Sequence, residues 1–94
     1  MAGTQWKAVH FIVSGRVQGV GFRHAARRKA GQLGLSGWVA NRPNGDVEAV
    51  AHGDAARLGR FEAWLRVGPQ YARVDRVEAT PAAAGPVGDF HIRL

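Results

Sequence analysis

Lys7-Ala8-Val9-His10-Phe11-Ile12-Val13-Ser14-Gly15-Arg16-Val17-Gln18-Gly19-Val20-Gly21-Phe22-Arg23 sets two periodicities back to back. From Lys7 to Ser14 the apolar residues alternate. Val9, Phe11 and Val13 share one face, with His10 and Ile12 on the other. Period two with β-branched residues predicts a strand. Gly15 to Gly21 carries Gly15, Gly19 and Gly21, and predicts a loop. Phe22, Ala25, Ala26, Ala30 and Leu33 then recur at helical spacing, and Gly34 stands where a helix stops. The stretch therefore predicts a strand, a glycine-rich turn and a helix from about Phe22 to Leu33.

Working outward, Gly37 to Asn41 and Asp46 to Ala51 predict two further strands. Asn44-Gly45 between them is the hairpin signal of a type I′ turn, which needs positive φ at both central residues. Gly53-Asp54 opens a second helix with Asp54 placed as its N-cap. Leu58, Phe61, Trp64 and Leu65 form that helix's apolar stripe, and Gly68-Pro69 ends it. Ala72 to Thr80 predicts a fourth strand. Its apolar residues Val74 and Val77 are three apart, so alternation slips and leaves room for a bulge. Thr80 to Gly88 is a Pro/Ala/Gly loop. Phe90, Ile92 and Leu94 alternate in a short last strand. The fold class is α+β: a ferredoxin-like βαββαβ sandwich, with two helices packed on one face of an antiparallel sheet and a short extra C-terminal strand. The other sheet face is expected to be more open.

The 94 residues suit a single domain spanning 1–94, with one two-layer core and no room for a large internal cavity. Any active site is then a surface cleft or loop cradle. There is no Cys, which excludes disulfides, thiolate nucleophiles and Cys-type zinc sites. No apolar run approaches the ~20 residues that span a bilayer. Met1 to Lys7 is polar and lacks an apolar signal core. These features fit a cytoplasmic protein. The formal charge is +6, from 13 Lys and Arg against 7 Asp and Glu, and 11 of the 13 are Arg. Most of these read as a solvated basic surface. The Arg fork also suits phosphate and carboxylate, so anionic small molecules or nucleic acid are the partners that such a field attracts.

Two segments carry chemistry. The first is Gly15-Arg16-Val17-Gln18-Gly19-Val20-Gly21-Phe22-Arg23. Backbone N–H groups of a strand–Gly–helix turn point into one concavity, and the helix dipole adds positive potential. Arg23 lies in the first helical turn beside that cradle. A phosphate is the natural ligand of several amides and one guanidinium, although many such turns bind nothing. The segment is neither a GxxxxGK[ST] loop nor a GxGxxG fingerprint, so it does not imply a nucleotide. The second segment runs from Gly37-Trp38-Val39-Ala40-Asn41 through Gly45 and Val47 to Gly53. Asn41 sits at a strand end before the hairpin. Its neutral amide offers a donor and an acceptor, enough to orient a water or simply to bond the turn.

Together the segments resemble the two signatures of the acylphosphatase family, G-R-V-Q-G-V-x-F-R and G-(aromatic)-V-x-N-x-x-x-G-x-V-x-x-x-x-x-G. Every fixed position is matched: Gly15 through Arg23, then Gly37, Trp38, Val39, Asn41, Gly45, Val47 and Gly53. Gly21 falls at the variable position, where some relatives carry a larger residue. The resemblance implies hydrolysis of acyl phosphates to a carboxylate and inorganic phosphate, with no metal and no organic cofactor. It implies that the loop Gly15, Arg16, Val17, Gln18, Gly19 and Val20, with the Arg23 side chain, binds the phosphoryl oxygens, and that Asn41 positions the water. It further implies a monomer whose partner is a small-molecule acyl phosphate, with inorganic phosphate as product and inhibitor. No nucleic acid or membrane is implied.

The remaining polar residues read more plainly. His10, His24, His52 and His91 form no i, i+4 helical pair and no HExxH, which argues against a metal site. His24 and the run Arg27-Arg28-Lys29 read as helix surface, with the run widening the positive field. Ser14 and Ser36 lack a triad. Asp46, Glu48, Asp75 and Glu78 read as solvent-facing strand residues. Trp38 is a candidate to pack beside Asn41 and support it, Trp64 reads as core, and Trp6 fits either role. An RNA-recognition module shares this topology and would use the charge, but it displays stacking aromatics on its first and third strands. Asp46 to Ala51 has none, and Phe11 faces the core. A non-catalytic accessory domain, like the one at the front of a larger carbamoyl-transfer maturation protein, is the second rival. A chain of 94 residues argues against it.

Overall fold

The computed structural model describes residues 6–83, 85 and 88–94. In chain order the elements are β1 (Trp6–Arg16), α1 (Phe22–Gln32), β2 (Ser36–Asn41), β3 (Val47–Asp54), α2 (Ala55–Leu65), β4 (Arg73–Ala82) and β5 (Phe90–Ile92). They form one sheet in the order β4-β1-β3-β2-β5. The first four strands pair antiparallel, as the split-βαβ order requires. β5, the short extra C-terminal strand, adds parallel to β2, so the five-stranded sheet is mixed. The expectation for the Trp6 side chain and that for the polar stretch 1–5 lie outside the described residues, as do positions 84, 86 and 87 of the Pro/Ala/Gly loop.

Alternation in β1 decides the two faces. Phe11 and Val13 are buried with Val39, Val47, Ala49 and Ala51 beneath the helices, which contribute Phe22, Ala26, Ala30, Leu58, Phe61 and Leu65. Ala26 and Ala30 on α1 and Ala49 and Ala51 on β3 are small, so helix and sheet approach closely. The aromatic rings fill what remains. Phe61 meets Phe11 edge-on at 5.8 Å and Phe90 at 5.6 Å. Trp64 is half-buried and stacks on Phe61 at 6.4 Å, in keeping with a core role. α1 ends as its sequence predicts. Gly34 takes φ 69, and the Leu35 N–H donates to the Ala30 carbonyl at 2.9 Å, closing a Schellman motif.

β1 runs past Ser14 because β4 bulges to follow it. Ser14 pairs with Arg76 but Gly15 pairs with Val74, so Asp75 is the extra residue on β4. That is where the three-residue spacing of Val74 and Val77 left room for it. The bulge presses the β4 backbone against Gly15, which sits at φ 131; a Cβ there would collide with the Arg73 carbonyl oxygen. The Arg73 Nε–H donates to Asp75 at 3.0 Å, and this hydrogen bond, with the carboxylate's charge, raises the guanidinium pKa above its ordinary value.

The β2–β3 hairpin is not closed by a type I′ turn. Asn44 does not take positive φ; Gly45 does, at φ 99. Ladder pairing ends at Asn41 and Val47, and a five-residue loop follows. Pro43 has no N–H to extend the ladder, so the turn starts one residue earlier. The Arg42 N–H donates to the Asp46 carbonyl at 2.8 Å and the Gly45 N–H to the Arg42 carbonyl at 3.1 Å. Asn44 braces the loop by accepting the Asp46 N–H at 3.0 Å.

The sheet face away from the helices is less open than expected. Ser36 and His52 are buried there. The Ser36 hydroxyl donates to the Gly88 carbonyl at 2.8 Å and accepts the Gly88 N–H at 2.9 Å, drawing the segment before β5 onto β2. Glu48 is not simply solvent-facing: its carboxylate meets His10 Nε2 at 2.6 Å across the strands.

Candidate active site

The connection from β1 to α1 is pinned at two points. Val17 is fully buried, and Val20 packs partly buried against the core. Gly19 between them is exposed at φ 73. The side chains of Val17 and Val20 therefore anchor the loop, and only their backbone groups can face a ligand. Gly15 and Arg16 belong to β1 and not to the loop that the glycine content suggested, because the bulge prolongs the β1–β4 pairing.

The loop delivers α1 with an open N-terminus. Its N-cap is Gly21, at φ 76 and ψ 20, which has no side chain to accept a first-turn N–H, and no acidic residue stands in the first turn. The leading amides of a helix have no intrahelical acceptor, and they sit at the positive end of the macrodipole. Arg23, the second residue of α1, is half-buried beside them. His24 is exposed on the helix surface, as are Arg27 and Arg28, while Lys29 is half-buried.

Asn41 is the last residue of β2, opposite Val47, and exposed. Its parity with Val39 places it toward the helix side of the sheet. Trp38 has the opposite parity, so it does not pack beside Asn41. Its ring lies under the Arg93 guanidinium at 4.2 Å instead.

What joins the two segments is a side chain that sequence reasoning treated only as part of the loop. Gln18 Nε2 donates to the carbonyl oxygens of Arg42 at 2.8 Å and Asp46 at 2.9 Å. Both acceptors are carbonyls, which fixes the amide orientation. The glycine-rich loop is thereby tied to the neck of the hairpin, directly after Asn41. Nothing local in the sequence signals this pairing of residues 24 and 28 positions apart.

Charge pairing leaves the site electropositive. Glu48, Asp54, Glu62, Asp75 and Glu78 are engaged by His10, Arg57, Arg66, Arg73 and Arg76. Arg16, Arg23, Arg27, Arg28, Lys29 and Arg42 form no ion pair among the described residues. Six of the nine Lys and Arg without an ion pair among the described residues thus lie on α1, at the end of β1 and in the hairpin turn, beside the Asp46 carboxylate, while Lys7, Arg60 and Arg93 lie elsewhere. Among the described residues no three His, Asp or Glu side chains cluster as a metal site would require. The arrangement offers backbone amides, one guanidinium in the first helical turn and one neutral amide on the neighbouring strand.

Comparison with known proteins identifies relatives of the chain as a whole. The family model described as Acylphosphatase matches residues 9–92. An acylphosphatase of Methylococcus capsulatus is 50% identical over 84 residues, covering 89% of each chain. The solved structure of an acylphosphatase from Coxiella burnetii superposes with a TM-score of 0.92 at 39% identity, over 99% of this chain and 100% of that one. The chain is also similar to part of a larger protein, HypF of T. kodakarensis, with a TM-score of 0.79 at 36% identity over 11% of that protein.

Proposed function

Since the chain belongs to the acylphosphatase family, whose activity is the hydrolysis of acyl phosphates, we propose that it performs this reaction with Arg23, Asn41 and the loop amides and without a metal or organic cofactor. The backbone from Gly15 to Val20, which comprises the end of β1 and the loop after it, and the Arg23 guanidinium hold the phosphoryl oxygens. The Asn41 side chain orients a water in line with the leaving carboxylate. The water oxygen bonds to phosphorus as the bond from phosphorus to the acyl oxygen breaks. The products are a carboxylate, inorganic phosphate and a proton, and the proton leaves the water by way of a phosphoryl oxygen.

The observation that carries this reading is the loop before the uncapped α1 N-terminus, tied through Gln18 to the hairpin neck that follows Asn41. Phosphoryl transfer from a good leaving group asks for positioning and charge stabilisation more than for proton transfer. The substrate is a small acyl phosphate, and inorganic phosphate inhibits as product. The reaction takes place in the cytoplasm, on a monomer that needs no nucleic acid or membrane. No described helix is long and apolar enough to cross a bilayer.

The test is turnover of benzoyl phosphate by chelator-treated protein, followed by loss of its ultraviolet absorbance. Wild type turns over. Arg23→Ala and Asn41→Ala, each folded by circular dichroism, lose about 10²–10³ in rate. A wild type that binds phosphate but does not turn over would move the chain to the accessory-domain reading.

A further inference from the structure

We infer that Gln18 is a positioning residue: its side-chain amide couples the phosphate loop to the Asn41 hairpin and holds the water-orienting group in register with the bound phosphate. The inference rests on the hydrolase reading above. Its ground is the geometry of the neck. Strand pairing ends at Asn41, so the loop beyond it leaves the sheet supported by its own turn bonds. The Asp46 carbonyl already accepts the Arg42 N–H, and the Arg42 carbonyl already accepts the Gly45 N–H. Each uses its second lone pair to take one hydrogen of the Gln18 amide.

On the other side, Gln18 follows the buried anchor Val17 and precedes Gly19, so its backbone belongs to the loop that faces the phosphate. One residue thus contributes backbone to one half of the site and side chain to the other. Cutting the tie leaves the loop on its Val17 and Val20 anchors and frees the hairpin neck. Phosphate binding persists, and water placement suffers. A displacement of about 1 Å at a reacting group lowers rate by about 10²-fold.

The experiment follows kcat, KM and inhibition by inorganic phosphate for Gln18→Met, a variant of similar shape without donors, on benzoyl phosphate. The expected result is a kcat lower by about 10²-fold, with KM and the phosphate inhibition constant within about threefold of wild type. In an Asn41→Ala background the same substitution changes kcat by less than about twofold, because the residue it positions is gone. Gln18→Glu supplies a second signature readable on a single protein. Its carboxylate faces two carbonyl oxygens, which disfavours the charged form. Its kcat therefore rises as pH falls and the acid regains one donor, while wild type and Gln18→Met stay flat.

An unchanged kcat in Gln18→Met, a rise in KM and in the phosphate inhibition constant with kcat preserved, or full additivity with Asn41→Ala overturns the inference. A wild type inert toward benzoyl phosphate ends this inference and the hydrolase reading together. An active wild type with an indifferent Gln18→Met ends this one alone.

Discussion

The two helices begin in opposite ways. α2 starts at Asp54, whose carboxylate accepts the Arg57 N–H at 2.8 Å and meets the Arg57 Nε at 3.2 Å. One first-turn amide and the first-turn cation are both satisfied from within. α1 starts at Gly21, with no side-chain cap, and its first-turn Arg23 has no acidic partner among the described residues. A cation at a helix N-terminus opposes the macrodipole. α2 cancels that opposition, whereas α1 does not among the described residues. The same chain thus carries one helix start capped by a side chain and one without such a cap, and both helices lie on the same face of the sheet.

That contrast can be broken in order of expected effect. Arg23→Ala should abolish most turnover, by about 10²–10³, while leaving unfolding free energy unchanged or higher by up to about 1 kcal/mol, since it removes a cation from a positive helix end. Parallel rate and urea-unfolding measurements check this, and a loss of stability that tracks the loss of rate would make Arg23 a structural residue. Gly21→Asp puts a carboxylate at the α1 N-terminus, at a cost of about 1 kcal/mol in stability because the backbone there is left-handed at φ 76. It should weaken inhibition by phosphate about tenfold, in line with the ~1–2 kcal/mol available at a partly buried helix terminus. Phosphate binding that survives undiminished would place the anion elsewhere.

Asp54→Ala should do the reverse: lower stability by about 1 kcal/mol with no change in kcat/KM. An effect on turnover would show that the two helix ends are coupled. The smallest effect is expected for His24→Ala, with less than a twofold change in kcat and a pH–rate profile that stays flat through the histidine range near pH ~6.5. A limb that disappears with this substitution would make His24 a proton carrier.

Much of the fold was legible because its signals are local. Alternation in Val9, Phe11 and Val13, the stripe Leu58, Phe61, Leu65, the Asp54 cap and the Gly34 stop each depend on a few neighbouring residues, and each is found where the sequence puts it. Asn44-Gly45 alone signals a type I′ turn, and Pro43 overrides that signal by ending the ladder early. Trp38 was placed beside Asn41 by proximity in sequence, when strand parity sends the two to opposite faces. Glu48 reads as solvent-facing in the sequence because its partner, His10, lies on another strand.

By itself the sequence determined the order of the elements, the Asp54 cap, the Gly34 stop, room for the bulge and the two motifs that mark the family, since backbone dihedral preferences, side-chain periodicity and glycine placement act within a turn or two of the chain. Only the tertiary structure decided that β5 joins β2 in parallel, that Gly15 is required by contact with the β4 bulge, and that Gln18 ties the glycine-rich loop to the Asn41 hairpin. These depend on which strands become neighbours and in what register. That choice is made by burial of the shared core, so no short window of sequence contains it.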